Sequence, residues 1–250
     1  FSAAQIKKFK FHVKHLDRGK EIKKCVSRET GRKDNLFLYF RCQICYNQTK
    51  SDDLRGSAGK GMWIMSKVIA VANQKGGVGK TTTVINLTAC LGKSGKKCLL
   101  VDIDAQGNAT SGLGINKREV QCSTYDLLGG EQRASQAIIK TQFKNVDLIP
   151  SSIDMAAAEL ELGDVEERTM KLRQALASVR ENYDYILIDC PPAMGLVTLN
   201  AFAACDSVLI PIQCEYYALE GLSQLMATIK QVKRCLLYTS DAADDSLRVD

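Results

Sequence analysis

The chain has 250 residues, enough for one α/β domain with a sizeable core plus extensions. Its 45% hydrophobic and 25% charged residues are ordinary for a globular protein, and no apolar run approaches the roughly 18 residues that span a bilayer. The net charge of +6 does not mark the body of the chain as a polyanion binder: residues 1–61 carry 15 Lys/Arg against 6 Asp/Glu, residues 62–234 carry 18 of each, and residues 235–250 carry one Arg against four Asp.

Residues 1–64 form a basic extension without a sustained apolar period and without the apolar segment of a secretory signal. The chain is therefore read as soluble and cytoplasmic. Phe11–His15 can be encoded by TTTCACGTGAAACAT, and Met65-Ser66-Lys67-Val68 reads as a start, so residues 1–64 are expected to be translated intergenic sequence. His12, His15, Cys42 and Cys45 form the rival reading, a small zinc module, but the set is incomplete by pattern.

From residue 65 apolar runs alternate with amphipathic ones. Val68–Ala72 predicts a buried strand, followed by a Gly-rich turn and a helix over Thr81–Leu91. Cys98–Asp102 and Val146–Ile149 predict strands, and Met155–Leu162 and Met170–Val179 predict helices. Tyr185–Asp189 predicts a strand, Leu196–Ala204 a helix, Ser207–Ile212 a strand and Leu219–Arg234 an amphipathic helix. This alternation predicts a doubly wound, mostly parallel α/β sheet covered on both faces. Cys90, Cys98, Cys190, Cys205 and Cys214 lie in or beside apolar segments and are read as small buried hydrophobes.

The turn after the first of these strands reads Asn73-Gln74-Lys75-Gly76-Gly77-Val78-Gly79-Lys80-Thr81-Thr82-Thr83. A glycine-rich turn between strand and helix is the setting of a phosphate-binding loop. Glycines let backbone N–H groups turn toward phosphate oxygens, and the helix that follows adds the positive end of its dipole. Lys75, Gly76, Gly77, Val78, Gly79, Lys80, Thr81 and Thr82 are the candidate nucleotide-binding residues. Lys80 is placed at the β- and γ-phosphates, Thr81 on Mg²⁺ and Thr82 near the α-phosphate. The standard loop has a glycine where Gln74 stands, so this is a deviant loop with a second lysine, Lys75.

That loop resembles the ParA/MinD family of deviant P-loop ATPases. Val101-Asp102-Ile103-Asp104-Ala105-Gln106-Gly107-Asn108-Ala109-Thr110 and Tyr185-Ile186-Leu187-Ile188-Asp189-Cys190-Pro191-Pro192 resemble its acidic motifs, with Ala105 where the family usually has proline. The runs Asn108–Gly114 and Cys214–Leu222 are similar to the chromosome-partitioning, ParA/Soj-type branch. The resemblance covers residues 65–234 and implies ATP and Mg²⁺ as cofactors. It implies that Lys75 crosses a dimer interface to the partner's nucleotide and that Asp104 positions the attacking water. Asp189 then holds the metal, with Asp102 near it. It also implies an ATP-driven homodimer, binding to DNA without sequence preference, nucleoid association, and hydrolysis stimulated by a ParB-type partner. Lys230, Lys233 and Arg234 are the candidate DNA contacts.

Two alternatives are carried: a MinD-like division-site regulator at the membrane, and an inert truncated fragment. No membrane-binding C-terminal helix is visible. Nitrogenase-type iron proteins share the loop but need paired cluster-ligating cysteines, a pattern that Cys190 alone does not supply. Residues 235–244 are what TGTCTCTTATACACATCTGACGCTGCCGAC encodes, which resembles a sequencing adaptor. Residues 235–250 are therefore expected to be an artefactual tail, with the domain over 65–234 truncated.

Overall fold

The computed structural model describes residues 23–27, 35–41, 66–164, 167–213 and 227–230. One eight-stranded sheet runs through them in the order β1-β2-β8-β3-β7-β4-β6-β5. The strands are β1 (Lys23–Ser27), β2 (Asn35–Arg41), β3 (Lys67–Val71), β4 (Cys98–Asp102), β5 (Ile139–Lys140), β6 (Val146–Ile149), β7 (Tyr185–Asp189) and β8 (Ser207–Gln213). The five strands β8, β3, β7, β4 and β6 are mutually parallel. The edges are antiparallel: β5 pairs with β6 on one side, and β2 pairs with β8 on the other. The strands β1 and β2 belong to the basic extension, where the sequence analysis assigned no element.

Alternate residues of the parallel strands supply two separate cores. Val68, Ala70, Leu99, Val101, Ile186, Ile188, Val208 and Ile210 belong to one. Ile69, Val71, Cys98, Leu100, Val146, Leu148, Leu187 and Leu209 belong to the other. Because both faces are covered, the strands read as unbroken apolar runs rather than as alternating ones. Burying each valine, leucine or isoleucine among them contributes about 1.5–3 kcal/mol.

The second core is closed by α1 (Lys80–Lys93), through Val84 and Ile85. The first is closed by α3 (Thr124–Gly129), α6 (Lys171–Ala177) and α7 (Leu196–Ala204), through Leu127, Leu128, Leu172, Leu176, Val197 and Phe202. Shorter helices are α2 (Asn108–Gly112), α4 (Ala134–Ala137) and α5 (Ala158–Glu161). The strands over 98–102, 146–149 and 185–189 and the helix over 196–204 have the limits that the sequence predicts.

The helix predicted over Met155–Leu162 is instead broken. A 3₁₀ turn at Ile153–Ala156, α5, and a second 3₁₀ turn at Leu162–Asp164 follow one another. Met155, Ala158 and Leu162 keep a buried stripe, yet Ile153 and Leu160 are exposed. The Ala157 and Leu160 N–H groups donate to carbonyls three residues back, and α5 has no side-chain cap. Of the helix predicted over Leu219–Arg234, residues 227–230 are helical, and Ile229 packs against the first core. Cys98, Cys190 and Cys205 are buried, and Cys90 is half-buried. Cys214, His12, His15, Cys42, Cys45, Lys233 and Arg234 lie outside the described residues.

Candidate nucleotide and metal site

The carboxyl ends of β3, β4 and β7 meet at one edge of the sheet, where ligands of open parallel sheets bind. In the ladder Val71 pairs with Asp189, and Asp189 with Asp102. The lock extends past the strand ends. The Ile103 N–H donates to the Asp189 carbonyl, and the Cys190 N–H to the Val71 carbonyl, each at 3.2 Å. Asp189 is thereby fixed between the glycine-rich loop on one side and Asp102 on the other.

The loop is anchored at its start. The Asn73 side-chain amide donates to the Pro211 carbonyl at 2.7 Å, and its Oδ1 accepts the Lys75 N–H at 3.0 Å. Gly77 and Gly79 take left-handed φ of 73° and 87°. A Cβ on either would meet nothing within 4 Å, so it is the backbone angle, not crowding, that requires glycine there. The α1 helix starts at Lys80 with no side-chain cap. Its first-turn N–H groups therefore have no capping side chain, the arrangement that favours anions at helix starts.

Lys80 is only 7% exposed and arches back over the loop, its Nζ donating to the Lys75 carbonyl at 3.3 Å. Burial lowers its pKa, while the charges of Asp189 and Asp104 act in the opposite sense. Lys75 and Thr82 are exposed, and Thr81 is half-buried. Lys80, Asp104 and Asp189 thus form one electrostatic cluster.

Asp189 is fully buried, and neither carboxylate oxygen has a partner in hydrogen-bond geometry. Burial, and then the neighbouring Asp102 charge, push its carboxyl well above the usual range. The nearby Thr81 hydroxyl and the Lys80 ammonium offset part of that rise without giving either oxygen a well-formed bond. An ionised carboxylate in such a place is costly unless a cation joins it. Two orphaned oxygens beside a threonine hydroxyl are a hard oxygen donor set, which suits Mg²⁺.

Asp102 has a different environment. Its Oδ2 accepts from the Thr110 N–H and the Thr110 hydroxyl, both at 2.8 Å, and its Oδ1 accepts the Asp104 N–H at 3.2 Å. Burial still lifts its carboxyl to about 6, with the Thr110 bonds opposing. The Thr110 Oγ1 in turn accepts the Ser151 N–H at 3.1 Å, tying β4 to the chain that leaves β6. The Thr124 hydroxyl lies 2.8 Å from the Asp102 carbonyl and 3.1 Å from the Pro150 carbonyl. Asp104 is half-buried, in a turn where its Oδ1 accepts the Gln106 N–H at 2.9 Å.

Sequence reasoning assigned no role to Asn73, Thr110, Ser151 or Thr124. Asn73 had a local signal, since it opens the loop and a short amide there bonds to backbone two residues on. The other three act through contacts 8 to 41 residues apart in the chain, which no spacing encodes. An open cleft of about 660 Å³ lies at the opposite ends of the strands, among Lys97, Lys140, Lys144, Asp147 and Tyr183. Its Asp147 already accepts from Lys140 and from Tyr183, both at 2.7 Å, and none of the loop residues lines it. Lys230 is exposed. Among the described residues no helix is long and apolar enough to cross a membrane.

The AAA domain family matches residues 66–240. The sporulation initiation inhibitor protein Soj of Bacillus subtilis is 56% identical over 172 residues, covering 69% of this chain and 68% of that protein. The chromosome partitioning protein ParA of Caulobacter vibrioides is 48% identical over 172 residues, covering 68% of this chain and 64% of that one. Among solved structures, cobyrinic acid a,c-diamide synthase from Mycobacterium smegmatis with bound ADP and magnesium is 41% identical with a TM-score of 0.65, covering 68% and 69% of the two chains. A putative plasmid partition protein from Borrelia burgdorferi bound to AMPPNP is 32% identical with a TM-score of 0.60, covering 67% and 69%. The chain spans about two thirds of the length of these relatives. The matched stretch contains the loop, both acidic strand ends and the two-faced parallel sheet, and the chain belongs to the ParA/Soj-type family of partitioning ATPases, with a P-loop nucleotide hydrolase fold.

Proposed function

We propose that the chain is the nucleotide-binding part of a Mg-ATP-dependent partitioning ATPase. The observation that carries this is the buried Asp189 carboxylate, whose oxygens lack a well-formed hydrogen bond, at the mouth of a glycine loop that also presents Lys80 and Thr81. The loop amides from Gly76 to Thr82 cradle the phosphates. Lys80 leaves the Lys75 carbonyl for the β- and γ-phosphate oxygens, with Thr82 near the α-phosphate. Thr81 and Asp189, with Asp102 alongside, would hold Mg²⁺, which would supply positive charge against the phosphate oxygens. Asp104 orients the attacking water. Lys75, exposed at the loop's surface, reaches the nucleotide of a second subunit.

Relatives named for chromosome and plasmid partitioning support the biological setting. In that setting ATP closes a homodimer that binds DNA without sequence preference, through Lys230, Lys233 and Arg234. A ParB-type partner stimulates hydrolysis and resets the cycle. The ATPase domain is then residues 65–234, with β2 of the basic extension paired along its edge strand β8. Titration calorimetry with AMPPNP, with and without Mg²⁺, tests the core of this reading. Binding that needs Mg²⁺ and is lost in Lys80→Ala is expected; equal heats for the variant and the parent would overturn it.

A further inference from the structure

We infer that Lys117 is a positioning residue for hydrolysis, strapping from outside the turn that carries Asp104. This rests on the reading of Asp104 as the residue that orients water. After the short α2 helix, Gly114 at φ 86° reverses the chain, and a 3₁₀ turn at Lys117–Glu119 returns toward residue 107. Asn116 fixes that turn at both ends. Its Oδ1 accepts the Arg118 N–H at 3.2 Å, and its Nδ2 donates to Glu119 Oε1 at 2.7 Å. Lys117 is thereby set over the Asp104 loop.

Two contacts make the strap. The Lys117 Nζ donates to the Gln106 carbonyl at 2.6 Å. Its stem covers Gly107 so closely that a Cβ there would lie 2.6 Å from Lys117 Cδ. The peptide between Gln106 and Gly107 is therefore held at both ends: Lys117 takes its carbonyl, and its N–H donates to the Asp104 carbonyl at 2.8 Å. The adjoining Gln106 N–H is the donor that fixes Asp104 Oδ1. A rotation of the 106–107 peptide would thus disturb the direction in which the Asp104 carboxylate points. A charge-assisted bond from a long flexible cation suits this duty, because it reaches a carbonyl without placing a rival carboxylate near Asp104. The bond itself is solvent-exposed, so its effect is modest and local.

The test uses two variants of the full chain. Lys117→Met keeps the stem over Gly107 and removes the donor; Lys117→Arg restores a donor. Amide exchange at Gln106 and Gly107 is measured beside kcat and KM for ATP. In Lys117→Met, exchange at Gly107 should quicken and kcat should fall about fivefold with KM held within about twofold, while Lys117→Arg recovers most of both. Unchanged exchange in Lys117→Met, or a rise in KM with kcat intact, would overturn the inference. A parent chain without turnover would overturn the catalytic half of the inference for this chain, whatever the role of Asp104. The exchange comparison still decides the strap in that case.

Discussion

Asp102 and Asp189 stand side by side at the ends of adjacent parallel strands, paired in register and both fully buried. Their surroundings separate them. Three donor contacts hold Asp102, whereas the oxygens of Asp189 have none in hydrogen-bond geometry. Burial raises the proton affinity of both, and the Asp102 charge raises that of Asp189 further.

Asp189→Asn should separate stability from ligand binding. Removing a buried charge without partners should stabilise the ligand-free protein by about 1–3 kcal/mol. The same variant should lose the rise in melting temperature that Mg²⁺ and AMPPNP give the parent, a rise worth about 2.7 kcal/mol at a hundredfold excess over Kd. Differential scanning fluorimetry with and without ligand reads both. A destabilised variant that keeps the full ligand shift would contradict the assignment.

Asp102→Asn should change how stability depends on pH. The folded carboxyl titrates at about 6, above its ordinary value of 3.8, so between these values the folded state binds more protons than the unfolded state. Stability then falls as pH rises through that window and stays low above it. The variant lacks this titration, and it also lacks the repulsion of Asp104, which acts in the same direction. Relative to the variant, the ligand-free parent should gain roughly 1–2 kcal/mol on going from pH 7.5 to pH 5. Parallel urea melts at the two pH values give the difference, and a constant gap would refute the buried titration.

Asp104→Ala should leave nucleotide affinity nearly unchanged and lower turnover about 100-fold, the scale of loss when a reacting group is misplaced. The Asp104 side chain contacts its own turn rather than the loop, so binding should survive. Calorimetry beside a phosphate-release assay separates the two quantities. Turnover equal to the parent would remove Asp104 from the chemistry.

Thr110→Val should destabilise the fold by about 1–3 kcal/mol, because it deletes a donor to Asp102 and orphans the buried Ser151 N–H. Thr110→Ser should recover most of that loss. A valine variant as stable as the parent, measured by chemical denaturation, would show that the Asp102–Thr110–Ser151 chain is dispensable.

Much of this site was legible in the sequence because it is made of local signals. The runs 98–102 and 185–189 end in aspartate where the apolar stretch stops, and a buried parallel strand leaves little freedom in where it stops. The loop from Asn73 to Thr83 is contiguous, so its spacing alone placed Lys80 and Thr81 at the start of a helix. The helix at 124–129 went unread although Ser123 and Asp126 form a capping box, a signal that was available. The break in 153–164 was harder to foresee. Its buried stripe has helical spacing, and only the exposure of Ile153 and Leu160 shows that the segment lies flat on the first core. Thr110 lies within the runs that resemble the family, yet nothing local names its partners, and Lys117 carried no pattern. Their partners are set by how the chain folds back after β4.

The division of the strands into two cores has a consequence for assembly. Leu99 and Val101 face one side, while Cys98 and Leu100 face the other. A slip of one position in β4 would exchange these sets and carry Asp102 out of step with Asp189. A chain that misaligns while folding therefore loses its core and the proposed cation corner together. On the proposed reading, protection against proteolysis by Mg²⁺ would mark correctly threaded molecules and separate them from collapsed ones of equal compactness.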